Sequence, residues 1–141
     1  SVKPYETVKA VEKMEKEVEE LRQKINEMNR RYFAMRKESI PAGKKAVLLY
    51  EEAMAPMEIR KFCEYLTEQK AAEFCFILSK KDEESLNYAI GSTGSGLKSL
   101  LKEWNSRLNG RGGGRDIMQG SFKCSLEEVE KLVDELNGGK E

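Results

Sequence analysis

The first part of the chain carries a seven-residue pattern of hydrophobic positions. Steps of three and four residues alternate along it without a break, at Val11, Met14, Val18, Leu21, Ile25, Met28, Tyr32 and Met35. The residues between them are mostly Glu, Lys, Arg and Gln, which favour helix, and no Gly or Pro interrupts the series. The pattern predicts a helical arm over residues 1–39 that ends before Pro41.

The apolar stripe of this arm is narrow, which is typical of a helix that pairs with one other helix. We therefore assign dimerisation to its first six positions, Val11, Met14, Val18, Leu21, Ile25 and Met28. In a parallel pair of arms, Glu17 faces Arg22, which is favourable. Arg31 then faces Arg36, which is unfavourable. An antiparallel pair, or packing of the arm on its own domain, stays open.

Short apolar runs and amphipathic stretches alternate over residues 40–141. The runs predict strands at residues 46–50, 74–78, 86–90 and 117–122, and the amphipathic stretches predict helices that begin near Pro56, Gly96 and Ser125. The run at 74–78 is apolar on both faces, as expected in the middle of a covered sheet. The predicted order after the arm is β-α-β-β-α-β-α, an α/β domain with a small mixed sheet.

Composition narrows the classes of function. The chain has 141 residues, enough for one compact domain and an appendage. Its 25 basic residues balance its 25 acidic ones, so a charge argument for nucleic acid depends on local clusters. Histidine is absent, which excludes Ser-His-Asp sites, Cys-His sites and H-E-x-x-H zinc sites. We predict no catalytic residue and no metal site in this chain.

Apolar runs and cysteines indicate the cellular compartment in which the protein works. No apolar run reaches the eighteen residues that a membrane-spanning helix needs. The three cysteines form no C-x-x-C pair, so we expect buried free thiols in a reducing cytoplasm.

The segment from Gly91 to Gly96 is rich in glycine and serine and precedes a helix. Its spacing is not that of a nucleotide-binding P-loop, because Leu97 separates the second glycine from Lys98. A turn of this kind still presents backbone N–H groups that attract an anion. Lys98 and Lys102 share the neighbouring helix face. An ordinary strand-to-helix turn is an equally good interpretation.

A second glycine-rich segment contains three consecutive glycines, Gly112, Gly113 and Gly114, between Arg111 and Arg115. Such a run costs backbone entropy, and it is typical of places where the backbone approaches something closely or takes a positive φ. The two guanidinium groups suit phosphate. From residue 98 to residue 123, six basic residues stand against two acidic ones, a local excess of four positive charges. A flexible, solvated loop is the alternative.

The sequence from residue 110 to residue 122, Gly-Arg-Gly-Gly-Gly-Arg-Asp-Ile-Met-Gln-Gly-Ser-Phe, resembles the glycine-rich signature of the DHH-associated domain. That domain ends alanyl-tRNA synthetases and the longer free-standing alanyl-tRNA editing proteins. The element order and the preceding helical segment are similar as well, and the ending Met-Gln-Gly-Ser-Phe is closer to the editing proteins. Arg115 stands where DHH phosphoesterases carry a substrate-binding His, which argues against a phosphoesterase role.

The resemblance implies a C-terminal module that binds the tRNA for alanine and forms a homodimer. It places the chemistry upstream, either hydrolysis of mischarged esters at a zinc site or aminoacylation, and it implies no cofactor in this chain. The predicted RNA contacts are Lys98, Lys102, Arg111, Gly112, Gly113, Gly114, Arg115 and Gln119. A purely structural dimerisation domain without direct RNA contact is the alternative.

Overall fold

The computed structural model describes residues 4–139 and divides into two units, one that ends at Arg36 and one that begins at Lys37. Helix α1, Pro4–Glu38, forms the first unit, and its last two residues belong to the second. The prediction of a long helix that ends before Pro41 is confirmed. The six stripe residues from Val11 to Met28 are between 46% and 66% exposed.

The second unit is an α/β domain, as predicted. Its elements are β1 (Ala46–Tyr50), α2 (Pro56–Glu68), β2 (Phe74–Lys80), β3 (Leu86–Ser92), α3 (Leu97–Arg107), β4 (Gly110–Gly114), β5 (Ile117–Phe122) and α4 (Leu126–Leu136). The predicted order lacked β4. Glycine has a low preference for strands, so composition alone gave no strand there, and only the pairing with β5 makes one.

The five strands form one sheet in the order β1-β2-β3-β5-β4. β1 is parallel to β2, and all other neighbours are antiparallel. The first six residues of β2 are buried, as its run of apolar residues predicted. The glycine-rich β4 lies at the edge of the sheet.

Helices cover both faces of the sheet. Phe74 and Phe76 of β2 point towards α3, where their rings pack on Trp104 with centroids 5.8 Å and 5.2 Å apart. Side chains alternate along a strand, so Cys75 points to the opposite face, where the Sγ atom of Cys63 in α2 donates to its carbonyl oxygen. The sheet, with β5 inside it and β4 at its edge, is therefore covered by helices on both faces.

Local signals fix the helix ends. The Ser125 hydroxyl accepts a hydrogen bond from the Glu128 N–H at 3.3 Å and caps α4 at the predicted position. Pro56 is the first residue of α2, also as predicted. Between residues 4 and 139, no helix combines the length and the apolar character needed to cross a membrane.

The three cysteines are free thiols. Cys63 and Cys75 are buried, and burial raises the pKa of both. Cys124 is half-buried, and burial together with the nearby Glu128 carboxylate raises its pKa to about 11. Thiols with raised pKa values are mostly protonated at neutral pH and hence poor nucleophiles.

Candidate nucleic-acid interface

The close contact between β4 and β5 explains most of the glycine run. Gly112 lies opposite Gly120 in the antiparallel ladder. A Cβ atom on Gly112 would overlap the carbonyl oxygen of Gln119 and the hydroxyl of Tyr88, and one on Gly120 would overlap the carbonyl oxygen of Arg111. The close backbone approach that the glycines predicted is confirmed, and it is an approach of one strand to its neighbour within the fold.

Gly113 is different from the glycines on either side. A Cβ atom on Gly113 would meet nothing within 4 Å, and its φ does not lie in the left-handed region. The residue is exposed. The fold therefore has no steric need for glycine here, and the position leaves bare backbone on the surface between Arg111 and Arg115.

A chain of hydrogen bonds joins β4 to the core. The Tyr88 hydroxyl donates to Oδ1 of Asn105 at 3.2 Å, and Nδ2 of Asn105 donates to the Gly112 carbonyl at 3.5 Å. The Tyr88 ring stacks on Phe122 with centroids 4.2 Å apart. Burial raises the pKa of Tyr88, partly offset by its bond to Asn105. The edge strand that carries Arg111 is thereby held in place from one side.

Arg111 is exposed and lines two shallow depressions of the surface. With Lys81 and Gln119 it lines one shallow depression, and with Lys123 it lines the next. Neither depression is lined by a carboxylate within the described residues. We call Lys81, Arg111, Lys123 and the exposed backbone of Gly113 the Arg111 surface. Across residues 4–139, Arg111 makes no ion pair.

Gln119 has a structural contact beside this surface. Its Nε2 atom donates to the Pro56 carbonyl at 2.9 Å, so the side chain joins β5 to the first residue of α2. The amide group of Gln119 thus stabilises the fold, and the residue also lines the depression that it shares with Arg111.

A second concave region, the β3–α3 cleft, has a volume of about 460 Å³ and lies between α2, the turn after β3 and the turn between β4 and β5. Its charged lining residues are three basic ones, Arg60, Lys98 and Arg115, and three acidic ones, Glu64, Glu68 and Asp116. Arg60 is paired with Glu64 at 3.3 Å. The excess of positive charge that the sequence predicted around Lys98 and Arg115 is therefore cancelled locally by α2.

The glycine-rich turn forms one wall of this cleft. Gly96 is the N-cap of α3 with φ of 88°, a left-handed conformation that favours glycine, and no side chain caps the helix there. The Gly94 N–H donates to the Ser92 hydroxyl at 3.1 Å. The uncapped first turn of α3 presents the backbone N–H groups that the sequence predicted at this point.

The predicted contact residues thus separate into two groups. Lys98 and Arg115 line the β3–α3 cleft, whereas Arg111 and Gln119 line the Arg111 surface. Lys102 is exposed on α3 and, within residues 4–139, lines neither the β3–α3 cleft nor the Arg111 surface. Sequence reasoning missed Lys81, because only the antiparallel pairing of β2 with β3, of β3 with β5 and of β5 with β4 brings it near Arg111.

No family model and no curated protein matches this chain. Among solved structures, it is similar to the C-Ala domain of Aquifex aeolicus alanyl-tRNA synthetase, with a TM-score of 0.56 and 27% identity over 67% of this chain and 91% of that one. It is also similar to PggH, a pGpG-specific phosphodiesterase of Vibrio cholerae, with a TM-score of 0.53 and 12% identity over 86% of this chain and 43% of that one. The second likeness concerns the fold alone. The predicted resemblance to the C-terminal domain of alanyl-tRNA synthetases is confirmed.

Proposed function

We propose that this chain is the tRNA-binding and dimerisation module of a cytoplasmic protein that handles alanyl-tRNA, and that it is not catalytic by itself. The observation that carries the RNA part is the Arg111 surface, where Arg111, Lys81 and Lys123 line two adjoining depressions that have no carboxylate in their described lining. The fold supports the same class of function, because the similar domain belongs to an alanyl-tRNA synthetase. Any zinc chemistry of the parent protein would use ligands outside this chain.

The geometry of β4 suits a sugar–phosphate backbone. Residues two apart on a strand face the same side, so Arg111 and Gly113 share one side of β4. Arg115 follows in the bend after the strand, and the four-residue step from Arg111 spans at most about 14 Å. Each guanidinium group offers a planar fork of N–H donors for phosphate oxygens, and Gly113 between them leaves room for close approach.

Recognition by shape fits this surface better than capture of unpaired bases. Stacking of bases requires exposed aromatic rings. Trp104 and Phe122 are buried in the core. Phosphate contacts carry no sequence information directly, so the module would add affinity for tRNA and leave discrimination to its overall shape.

The β3–α3 cleft is a second contact of the same proposal. Lys98 and Arg115 add positive charge to the cleft, Lys102 adds it farther along α3, and the uncapped start of α3 adds N–H donors for a phosphate oxygen. The three carboxylates of the cleft reduce its attraction for RNA. We therefore place the dominant contact at Arg111.

Self-association is the second part of the proposal, and it rests on the arm. Six large apolar side chains, Val11, Met14, Val18, Leu21, Ile25 and Met28, form an exposed stripe along α1. A contiguous apolar stripe of this kind marks a surface for another protein chain. We assign it to a second copy.

A pair of double variants tests the RNA contact. Arg111→Ala with Arg115→Ala should weaken binding of an alanine tRNA transcript about tenfold or more, because two phosphate contacts are lost. Lys44→Ala with Lys45→Ala removes the same charge from exposed residues near β1, at the opposite edge of the sheet, and should weaken binding far less. Equal effects of both double variants would contradict a site at Arg111.

The alternative, a purely structural dimerisation domain, has its own signature in the same experiment. It predicts intact self-association of the unaltered chain and no measurable RNA binding by any variant. Leu21→Glu checks the arm separately, since a buried carboxylate in the stripe should reduce the mass in solution from dimer to monomer.

A further inference from the structure

We infer that the arm pairs with the arm of a second copy in antiparallel orientation, in a register centred between Glu19 and Glu20. The inference rests on the proposed self-association and adds its geometry. In this register the stripe is complementary to itself. Val11 faces Met28, Met14 faces Ile25, and Val18 faces Leu21, each pair occurring twice.

The charges beside the stripe select this register. Glu15 and Glu17 flank its N-terminal half, and Arg22 and Lys24 flank its C-terminal half one heptad later. In the antiparallel pair, Glu15 of one copy lies beside Arg22 of the other. Glu17 likewise lies beside Lys24. By symmetry there are four attractive pairs and no repulsive one among these flanking residues.

Neighbouring antiparallel registers are disfavoured by the same residues. A shift of one heptad in one direction places Arg22 of one chain beside Arg22 of the other, and Lys24 beside Lys24, at the two-fold axis. A shift of one heptad in the other direction places Glu15 beside Glu15 and Glu17 beside Glu17. Like charges that meet on the axis repel. None of these four side chains makes an ion pair within residues 4–139, so each is available to a partner.

The parallel pair is less favourable than this register. It places Glu17 beside Arg22 but leaves Glu15 beside Ala10, and it brings Arg31 near Arg36. By symmetry the parallel pair therefore has two attractive pairs and two repulsive ones, whereas the antiparallel register has four attractive pairs.

The uninterrupted exposed stretch of the stripe matches the proposed overlap. Every stripe residue from Val11 to Met28 is exposed, whereas Tyr32, the next in the series, is half-buried and separates them from the exposed Met35. The antiparallel register pairs these six residues among themselves, because the first of them faces the last, and it leaves Met35 outside the paired stripe.

Cysteine cross-linking tests orientation and register together. In a Cys124→Ser background, with Cys63 and Cys75 buried, chains carrying Val11→Cys and chains carrying Met28→Cys are given different tags, mixed and mildly oxidised. We expect a disulfide between the two kinds of chain. Chains carrying Met28→Cys alone should not cross-link, because two copies of position 28 then lie about 25 Å apart along the helix, far beyond the ~7 Å that a disulfide tolerates.

Two cross-linking results and one sedimentation result would each contradict a different part of the inference. Efficient cross-linking of Met28→Cys to itself would overturn the antiparallel orientation. Preferential cross-linking of Val11→Cys to Leu21→Cys would overturn the register. An unaltered chain that sediments as a monomer at every concentration would overturn both this inference and the proposed self-association, so the two failures are distinguishable.

A charge reversal gives an independent check. Glu15→Arg should weaken self-association about fivefold or more, because each of the two pairs with Arg22 then brings two guanidinium groups together. Adding Arg22→Glu to the same chain should restore self-association, since both pairs are again attractive. In a parallel pair the second change would bring two acidic residues together at positions 17 and 22, and self-association would weaken further.

Discussion

The two glycine-rich segments of the globular unit owe their glycines to different physical causes. In β4 and β5, Gly112 and Gly120 are pressed against backbone atoms of the neighbouring strand. In the turn before α3, Gly94 and Gly96 have open space around them, and Gly96 is needed for its left-handed φ. A glycine run therefore indicates a close approach within the fold in one case and exposed backbone in the other. Gly113 lies in the first segment but belongs by its surroundings to the second.

The largest expected effect separates Gly112 from Gly113. Gly112→Ala should destabilise the fold by about 3 kcal/mol or more, because its methyl group would overlap the Gln119 carbonyl, a backbone atom that cannot turn aside. Gly113→Ala should change the free energy of unfolding by less than about 1 kcal/mol. Urea unfolding measures both. Similar losses at the two positions would show that the contrast between them is wrong.

A valine at position 113 sharpens the functional side of the contrast. Gly113→Val has room for its side chain and suits a strand, so stability should hold. Its branched side chain would block the exposed backbone, and the affinity for tRNA should fall about tenfold, or about 1.4 kcal/mol. If the affinity is unchanged while the Arg111 and Arg115 double variant binds weakly, RNA does not approach this backbone.

The turn before α3 gives a smaller effect of the same kind. Gly96→Ala should cost about 1 kcal/mol of stability, because an L-residue is strained at φ of 88°. Gly94→Ala should be nearly neutral, since the nearest atom to its Cβ would be the Ser92 hydroxyl at 3.9 Å. Thermal unfolding of the two variants side by side measures the difference.

An effect of similar size concerns the support behind β4. Tyr88→Phe removes the hydrogen bond to Asn105 and keeps the stack on Phe122, so we expect a loss of about 1 kcal/mol. Because burial raises the pKa of Tyr88, its contribution is complete at neutral pH and is lost as pH rises above the ordinary value of 10.0 towards the raised folded-state pKa. Tyr88→Phe should flatten this alkaline loss, and an unchanged alkaline profile would contradict the assignment.

Much of the fold could be predicted from local patterns. The heptad series defined α1, and the alternation of apolar runs with amphipathic stretches gave the other helices and four strands. Ser125 and Pro56 marked helix starts because caps and first-turn prolines act on their nearest neighbours along the chain.

What the sequence left out depends on contacts between distant residues. β4 is a strand because β5 pairs with it, against the preference of its own glycines. The neutral charge of the β3–α3 cleft comes from Glu64 and Glu68 on α2, which counting charges from residue 98 to residue 123 could not include. Lys81 likewise lies beside Arg111 only because the fold brings together residues that are distant in the sequence.

The most direct test of the RNA-binding role is a titration of the unaltered chain with an alanine tRNA transcript and with an unrelated tRNA, at several salt concentrations. We predict binding that weakens steeply with salt, with a slope corresponding to roughly three or more phosphates. A preference for the alanine tRNA in the same titration would further tie the module to proteins that handle alanyl-tRNA. Absence of binding even at low salt, by protein that self-associates in the same buffer, would contradict an RNA-binding role and leave assembly as the function of the module.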